Sequence, residues 1–232
     1  MKFLEIFKKE FEGFSLAEKI FFPSIIITII GISLYMKDSK IALVSAICGI
    51  SYVILAGKGR VSCYYIGLIG TVCYSYISWK NALYGQLILY ACYYFPMEII
   101  GIYNWSKHFK NDTREIEKIR LTRKQDVLYL LYSIIGTVIL SFILKYTGDI
   151  KPVMDAFCVV FSVLGLFLSV KRCVEQWHVW YFVNFVSLIM WIYAYMNGSN
   201  CFSTILMWAV YWVLSIYFLC TWEKEIRQKK RN

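Results

Sequence analysis

Trp180, Asn184, Ser187 and Trp191 recur at i, i+4, i+7 and i+11, and therefore share one face wherever this stretch is helical. An amide flanked by indoles suits a flat heterocycle bearing a carboxamide or amino group, because the rings stack and the amide both donates and accepts. The same spacing also fits Trp180 as a member of an interfacial aromatic belt. A second face is marked by Gln86, Tyr90, Tyr93 or Tyr94, and Met97. Glu98 lies seven residues before Trp105, about 10 Å inside a helix end at 1.5 Å per residue. An ionisable group at that depth is costly enough for function to be the first hypothesis. Ionised, Glu98 suits a cationic substrate; protonated, it is a hydrogen-bond donor or a proton-coupling group. A structural contact with Asn104 or with a neighbouring helix is the alternative. Pro96, two residues earlier, is expected to kink its helix and free a backbone carbonyl.

Other chemistry is sparse. The eight Cys form no CxxC pair, and two His, His108 and His178, make no ligand cluster. The chain lacks a GxxxxGK[ST] phosphate loop and a carboxylate dyad on one face, so catalytic residues, metal and cofactor are all expected to be none. An integral-membrane enzyme is the rival class. Glu175 is expected to pair with Lys171 or Arg172, and Asp155 to sit in the interface. Gly67, Gly70 and Ser75 give a small-residue surface for close helix packing.

The elements that must position these residues read as membrane helices. Of 232 residues, 59% are hydrophobic and 17% charged, the latter well below the roughly 25% usual in soluble domains. The net charge of +10 sits at the ends of apolar runs, where anionic lipid and membrane orientation account for it and nucleic acid does not. Eight apolar segments are placed at 20–36, 40–57, 62–80, 83–105, 127–145, 153–170, 177–196 and 202–222, most of them long enough to span a bilayer. The first twenty residues read as a cytoplasmic amphipathic lead-in and not as a signal peptide. With eight spans, twenty Lys and Arg fall on the side of the termini and five on the other, which places both termini in the cytoplasm.

The segment 106–126 splits the chain. At an offset of 117 residues, Cys63 to Trp105 lies against Trp180 to Trp222 without a gap, with identities at Tyr76 and Tyr193, Ile88 and Ile205, Leu89 and Leu206, Tyr94 and Tyr211, Ile99 and Ile216, and Trp105 and Trp222. An odd linking helix makes these parallel repeats, for which a substrate site at the repeat interface is expected. The implied organisation is a lead-in and extra N-terminal helix (1–39), a first three-helix repeat (40–105), a basic loop and linking helix (106–152), a second repeat (153–222) and a basic tail (223–232).

The stretch AGKGRVSCYYIGLIGTVCYSYISWKNALYGQLILYACYYFPMEIIGIYNW, Ala56 to Trp105, resembles the first triplet of the Pnu (PnuC-type) family of vitamin transporters. Asp155 to Trp222 resembles the second, above all in KRCVEQWHVWYFVNFVSLIMWIY with its WxxxN element, Trp180 to Asn184. The resemblance covers about residues 40–225. It implies an all-α membrane protein of eight transmembrane helices, with a SWEET-like 3+1+3 parallel-repeat core inserted the other way up and one extra N-terminal helix. It further implies an inner (plasma) membrane carrier for nicotinamide riboside working by facilitated diffusion, with a cytosolic kinase trapping the cargo; thiamine, riboflavin or a deoxynucleoside is the alternative cargo. Nicotinamide riboside and thiamine are both cations. On this basis Trp180, Asn184, Gln86, Tyr90, Glu98, Tyr94, Ser187 and Trp191 are the expected substrate contacts. The chain departs from the family pattern at Tyr90 and Glu98, where resembling sequences carry Asn and Gln. The expected partners are the small-molecule cargo and the lipid bilayer, with a homo-oligomer left open and nucleic acid excluded.

Overall fold

In a computed structural model of the chain, residues 12–36, 39–80, 84–109, 115–148, 150–198 and 202–229 are described. All regular structure among them is helical: α1 (Leu16–Tyr35), α2 (Lys40–Gly57), α3 (Ser62–Lys80), α4 (Tyr84–Ile88), a π-helical turn (Leu89–Tyr94), α5 (Phe95–Ser106), α6 (Arg123–Tyr146), α7 (Pro152–Val170), α8 (Gln176–Met196) and α9 (Phe202–Lys229). Each expected apolar segment falls on one of these helices, with α4, the π turn and α5 sharing the fourth. Six helices, α1, α2, α6, α7, α8 and α9, are long and apolar enough to cross a membrane. The third and fourth segments differ for local reasons. α3 carries Gly67, Gly70, Thr71 and Ser78 among its apolar residues, and the fourth is broken by the π turn. The residues before Glu12, most of the expected lead-in, lie outside the described residues.

Polar residues at the starts fix where the helices begin. Ser15 caps α1 and Thr122 caps α6, each in a reciprocal capping box, with Glu18 and Gln125 respectively. Ser39 caps α2, and Pro152 opens α7 where its missing N–H goes unused. These caps start α1 at Leu16 and α6 at Arg123, each four residues earlier than the apolar runs alone indicate. α9 continues to Lys229, seven residues beyond the apolar run, because Glu223, Lys224, Glu225 and Arg227 extend it as a polar helix.

The chain divides into two compact units, Met1–Glu117 and Lys118–Asn232. Within the first, α1 packs on α2, α2 on α3, and α3 on the α4–α5 segment; within the second, α6 packs on α7, α7 on α8, and α8 on α9. Both units contain one turn of matching design. Gly59 after α2 has φ 66°, and Arg172 after α7 has φ 64°. Around them the Lys58, Gly59 and Arg60 amides bond the Ile54, Ala56 and Leu55 carbonyls; the Lys171, Arg172 and Cys173 amides bond those of Phe167, Ser169 and Leu168. In each unit a neighbouring segment docks on the left-handed residue. Ile116 N–H donates to the Gly59 carbonyl and Ile119 N–H to the Arg172 carbonyl, both at 3.0 Å. Arg172 accepts the left-handed backbone without being glycine, at a cost of about 1 kcal/mol.

Aligning the two units through this turn gives an offset of 113 residues, which matches Tyr64 to Trp177 and Thr71 to Asn184. Trp105 and Trp222 keep the offset of 117. The edge-on ring pairs agree: Tyr64 meets Trp105 at 4.9 Å in one unit, and Trp177 meets Trp222 at 5.7 Å in the other. The two units thus match at an offset of 113 through the left-handed turn and of 117 at the Trp105 and Trp222 pair.

In the second unit the segment after Glu117 is held by charge. Lys118 Nζ lies 2.6 Å from both Glu225 oxygens and 4.9 Å from the centre of the Trp222 ring, with its side chain buried. Arg120 pairs with Glu223 and reaches Glu175 at 3.9 Å, and the Leu121 amide donates to Glu175. Glu175 therefore pairs with Arg120 and not with Lys171 or Arg172; Lys171 points instead to the Tyr129 hydroxyl at 3.2 Å. Burial raises the Glu175 carboxyl above the usual range, opposed by hydrogen bonds from backbone amides and by Arg120. Lys118→Ala is expected to cost about 2 kcal/mol, less than the roughly 3–5 kcal/mol for breaking a fully buried pair, because Glu225 is partly solvated. A thermal melt in detergent reads this directly, with Lys118→Met separating lost charge from lost volume.

Candidate functional site

In the second unit, α8 carries Trp180, Asn184, Ser187 and Trp191, and their surroundings differ. Trp180 lies against Gly165 of α7, where an added Cβ would come within 2.9 Å of the indole ring. Asn184 is 6% exposed, and its Nδ2 donates to the Tyr211 carbonyl of α9 at 3.1 Å, its one partner among the described residues. Ser187 is buried with its Oγ 3.5 Å from Cys158 Sγ of α7. Trp191 is 38% exposed, one turn further on. The indole is thus seated on α7 and the amide on α9, while Trp191 is partly exposed.

In the first unit the π turn decides where side chains point. The Phe95 amide bonds the Tyr90 carbonyl, five residues back, immediately before Pro96, which has no N–H to give. The expected kink is therefore a π turn, and it rotates everything after it relative to an ideal helix. On it, Tyr90 stacks on Tyr94 at 4.6 Å and 15°, and meets Tyr74 of α3 at 4.4 Å. Gln86 is half-buried and makes no hydrogen bond to another described residue.

Beyond the turn, Glu98 is 3% exposed, and its Oε1 accepts from Thr71 Oγ1 of α3 at 3.0 Å. Its other oxygen is buried and has no hydrogen-bond partner among the described residues. Of the contacts weighed from sequence, Glu98 therefore makes one with a neighbouring helix and not with Asn104. Gly67 makes the room: a Cβ there would lie 2.7 Å from Glu98 Oε1 and 2.9 Å from the Tyr52 ring of α2. At Gly70 an added Cβ would lie 3.1 Å from the Cys48 Cβ, so the glycines of α3 are packing positions, as their spacing indicated.

Thr71 and Asn184 hold matching places at the offset of 113, and each bonds the next helix of its unit: Thr71 joins α3 to α5 through Glu98, and Asn184 joins α8 to α9 through Tyr211. Sequence reasoning singled out Glu98 and Asn184 but missed Thr71, Tyr74, Tyr52 and Gly165. The Gly67-to-Thr71 spacing, one helical turn, was the available signal for Thr71; nothing in the sequence marks Gly165 as the seat of Trp180.

Residues 39–224 match the model of a family described as nicotinamide mononucleotide transporter. A Neisseria mucosa protein named nicotinamide riboside transporter PnuC is 33% identical over 199 residues, covering 84% of this chain and 76% of that protein. A Haemophilus influenzae protein of the same name is 26% identical over 224 residues, 95% of this chain and 96% of that one. The crystal structure of the vitamin B3 transporter PnuC superposes with a TM-score of 0.82 at 30% identity, covering 96% and 97% of the two chains.

Proposed function

This chain belongs to the nicotinamide mononucleotide transporter family and is a multi-pass membrane transporter, not an enzyme, and from that premise we propose that its cargo is nicotinamide riboside, carried by facilitated diffusion. The observation that carries the choice of cargo is where charge falls. Among the described residues every Lys and Arg lies at a helix end, in a connection or in the polar extension of α9, and Glu98 alone among acidic and basic side chains lies well inside an apolar helix. A phosphorylated cargo stripped of water would meet no counter-charge there, whereas a cationic nucleoside can draw on the one acid at that depth. The riboside named for the relatives fits that chemistry better than the mononucleotide of the family's description.

The residues assigned to the cargo are Trp180, Asn184, Ser187, Trp191, Gln86, Tyr90, Tyr94 and Glu98. Trp180 stacks on the ring, Asn184 binds its polar edge and Glu98 tunes charge. The helix order supports eight spans, an extra N-terminal helix followed by three, one and three, with both termini cytoplasmic by the distribution of Lys and Arg. Direction then comes from a cytosolic kinase that phosphorylates the arriving cargo. Proteoliposomes containing the chain alone are expected to take up labelled riboside until inside and outside concentrations match and to release it unaltered. Accumulation above the outside level without a kinase overturns facilitated diffusion, and no uptake overturns the cargo.

A further inference from the structure

Glu98 sits where a carboxylate has nothing to answer its charge. Three elements surround it: its own α5, α3 with Thr71 and Gly67, and α2 with the Tyr52 ring beside Gly67. The Tyr52 phenol is the nearby titratable group, and no Lys, Arg, His, Asp or second Glu pairs with Glu98 among the described residues. One oxygen is held by Thr71 and the other is buried with no hydrogen-bond partner among the described residues. A buried carboxylate in that state leaves a full uncompensated charge, whereas the neutral acid leaves only a weak polar group.

The second unit points the same way. At the offset of 117 the counterpart of Glu98 is Ser215, a buried neutral hydroxyl that donates to the Trp212 carbonyl at 2.7 Å. A hydroxyl both donates and accepts, as a carboxylic acid does; a carboxylate only accepts. We infer that Glu98 is a proton-binding site, and that the acid form is what packs against Thr71 between α2, α3 and α5. On deprotonation the proton leaves to water and the negative charge left behind loosens this three-helix packing. This goes beyond the assignment of cargo and is carried by the geometry around Glu98 in the first unit.

The test uses the purified full chain without any cargo, so its failure is separate from a failure of the cargo assignment. Thermal unfolding of the wild type and of Glu98→Gln is measured from about pH 6 to about pH 9, spanning the range between ordinary carboxyl and tyrosine titration. Because the folded chain binds the proton, the wild-type melting temperature is expected to fall as pH rises, and Glu98→Gln, which copies the neutral acid, to lose that part of the dependence. Infrared spectroscopy of the wild type is expected to show the carbonyl stretch of a protonated carboxyl group at neutral pH, readable even if the variant folds poorly. A wild type with no protonated carboxyl band, or a variant with the same pH slope as the wild type, overturns the inference.

Discussion

Trp180→Ala and Asn184→Ala are each expected to weaken binding of nicotinamide riboside by about tenfold while leaving the helical content unchanged. A stacked ring and a buried amide contact are each worth roughly 1 kcal/mol or more, and 1.4 kcal/mol is a factor of ten. The indole is seated on the bare backbone of Gly165, so its plane is fixed before cargo arrives. The amide is held from one side by the Tyr211 carbonyl, which leaves its oxygen to accept from the cargo. Titration calorimetry on the two variants checks this. Unchanged affinity in both would remove the second unit's residues from the site, because neither variant could then have lost a cargo contact. Loss in Asn184→Ala accompanied by a large fall in melting temperature would identify the residue as a brace between α8 and α9.

Gly101→Ala is expected to be the most damaging single methyl group in the first unit. A Cβ at this position would lie 2.5 Å from two atoms of the Tyr64 ring and 2.8 Å from a third. That ring cannot retreat: Tyr64 is fully buried, with Trp105 edge-on at 4.9 Å and Tyr52 at 5.9 Å. Overpacking a core of this kind costs roughly 1–3 kcal/mol, and the crowding here argues for the upper end. The measurement is the melting temperature in detergent beside Gly31→Ala, where an added Cβ meets nothing within 4 Å. Equal melting temperatures for the two variants would mean that α3 and α5 do not approach as described.

The helices were legible because the physics that makes them is local. Apolar runs of bilayer length, interrupted by charge, need no tertiary information, and all eight expected segments coincide with helices. Boundaries were less legible where a polar side chain and not hydrophobicity decides them, as at Ser15, at Thr122 and along the extension of α9 from Glu223 to Lys229. The repeat was visible through Trp105 and Trp222, but the offset of 113 through the left-handed turn was not, because a comparison without gaps cannot see four extra residues.

The candidate residues divide in the same way. Glu98 announced itself by the cost of an acid at depth, and Asn184 by its spacing from Trp180. Their partners were hidden because each depends on which helices pack together: Thr71 reaches Glu98 across α3 and α5, and Gly165 meets Trp180 across α7 and α8. Pro96 was read as a kink, and the mechanism matched in kind, since its missing N–H falls where the π turn ends. What no spacing could give is the resulting rotation, on which the contact between Glu98 and α3 depends.

The most direct test of the account is calorimetric titration of the purified chain with nicotinamide riboside, nicotinamide mononucleotide, thiamine and riboflavin under one set of conditions. The account predicts tight binding of the riboside and none of the mononucleotide, since among the described residues no Lys or Arg lies well inside an apolar helix to meet a phosphate. Binding of the mononucleotide as tight as that of the riboside, or of thiamine or riboflavin in place of both, would contradict it.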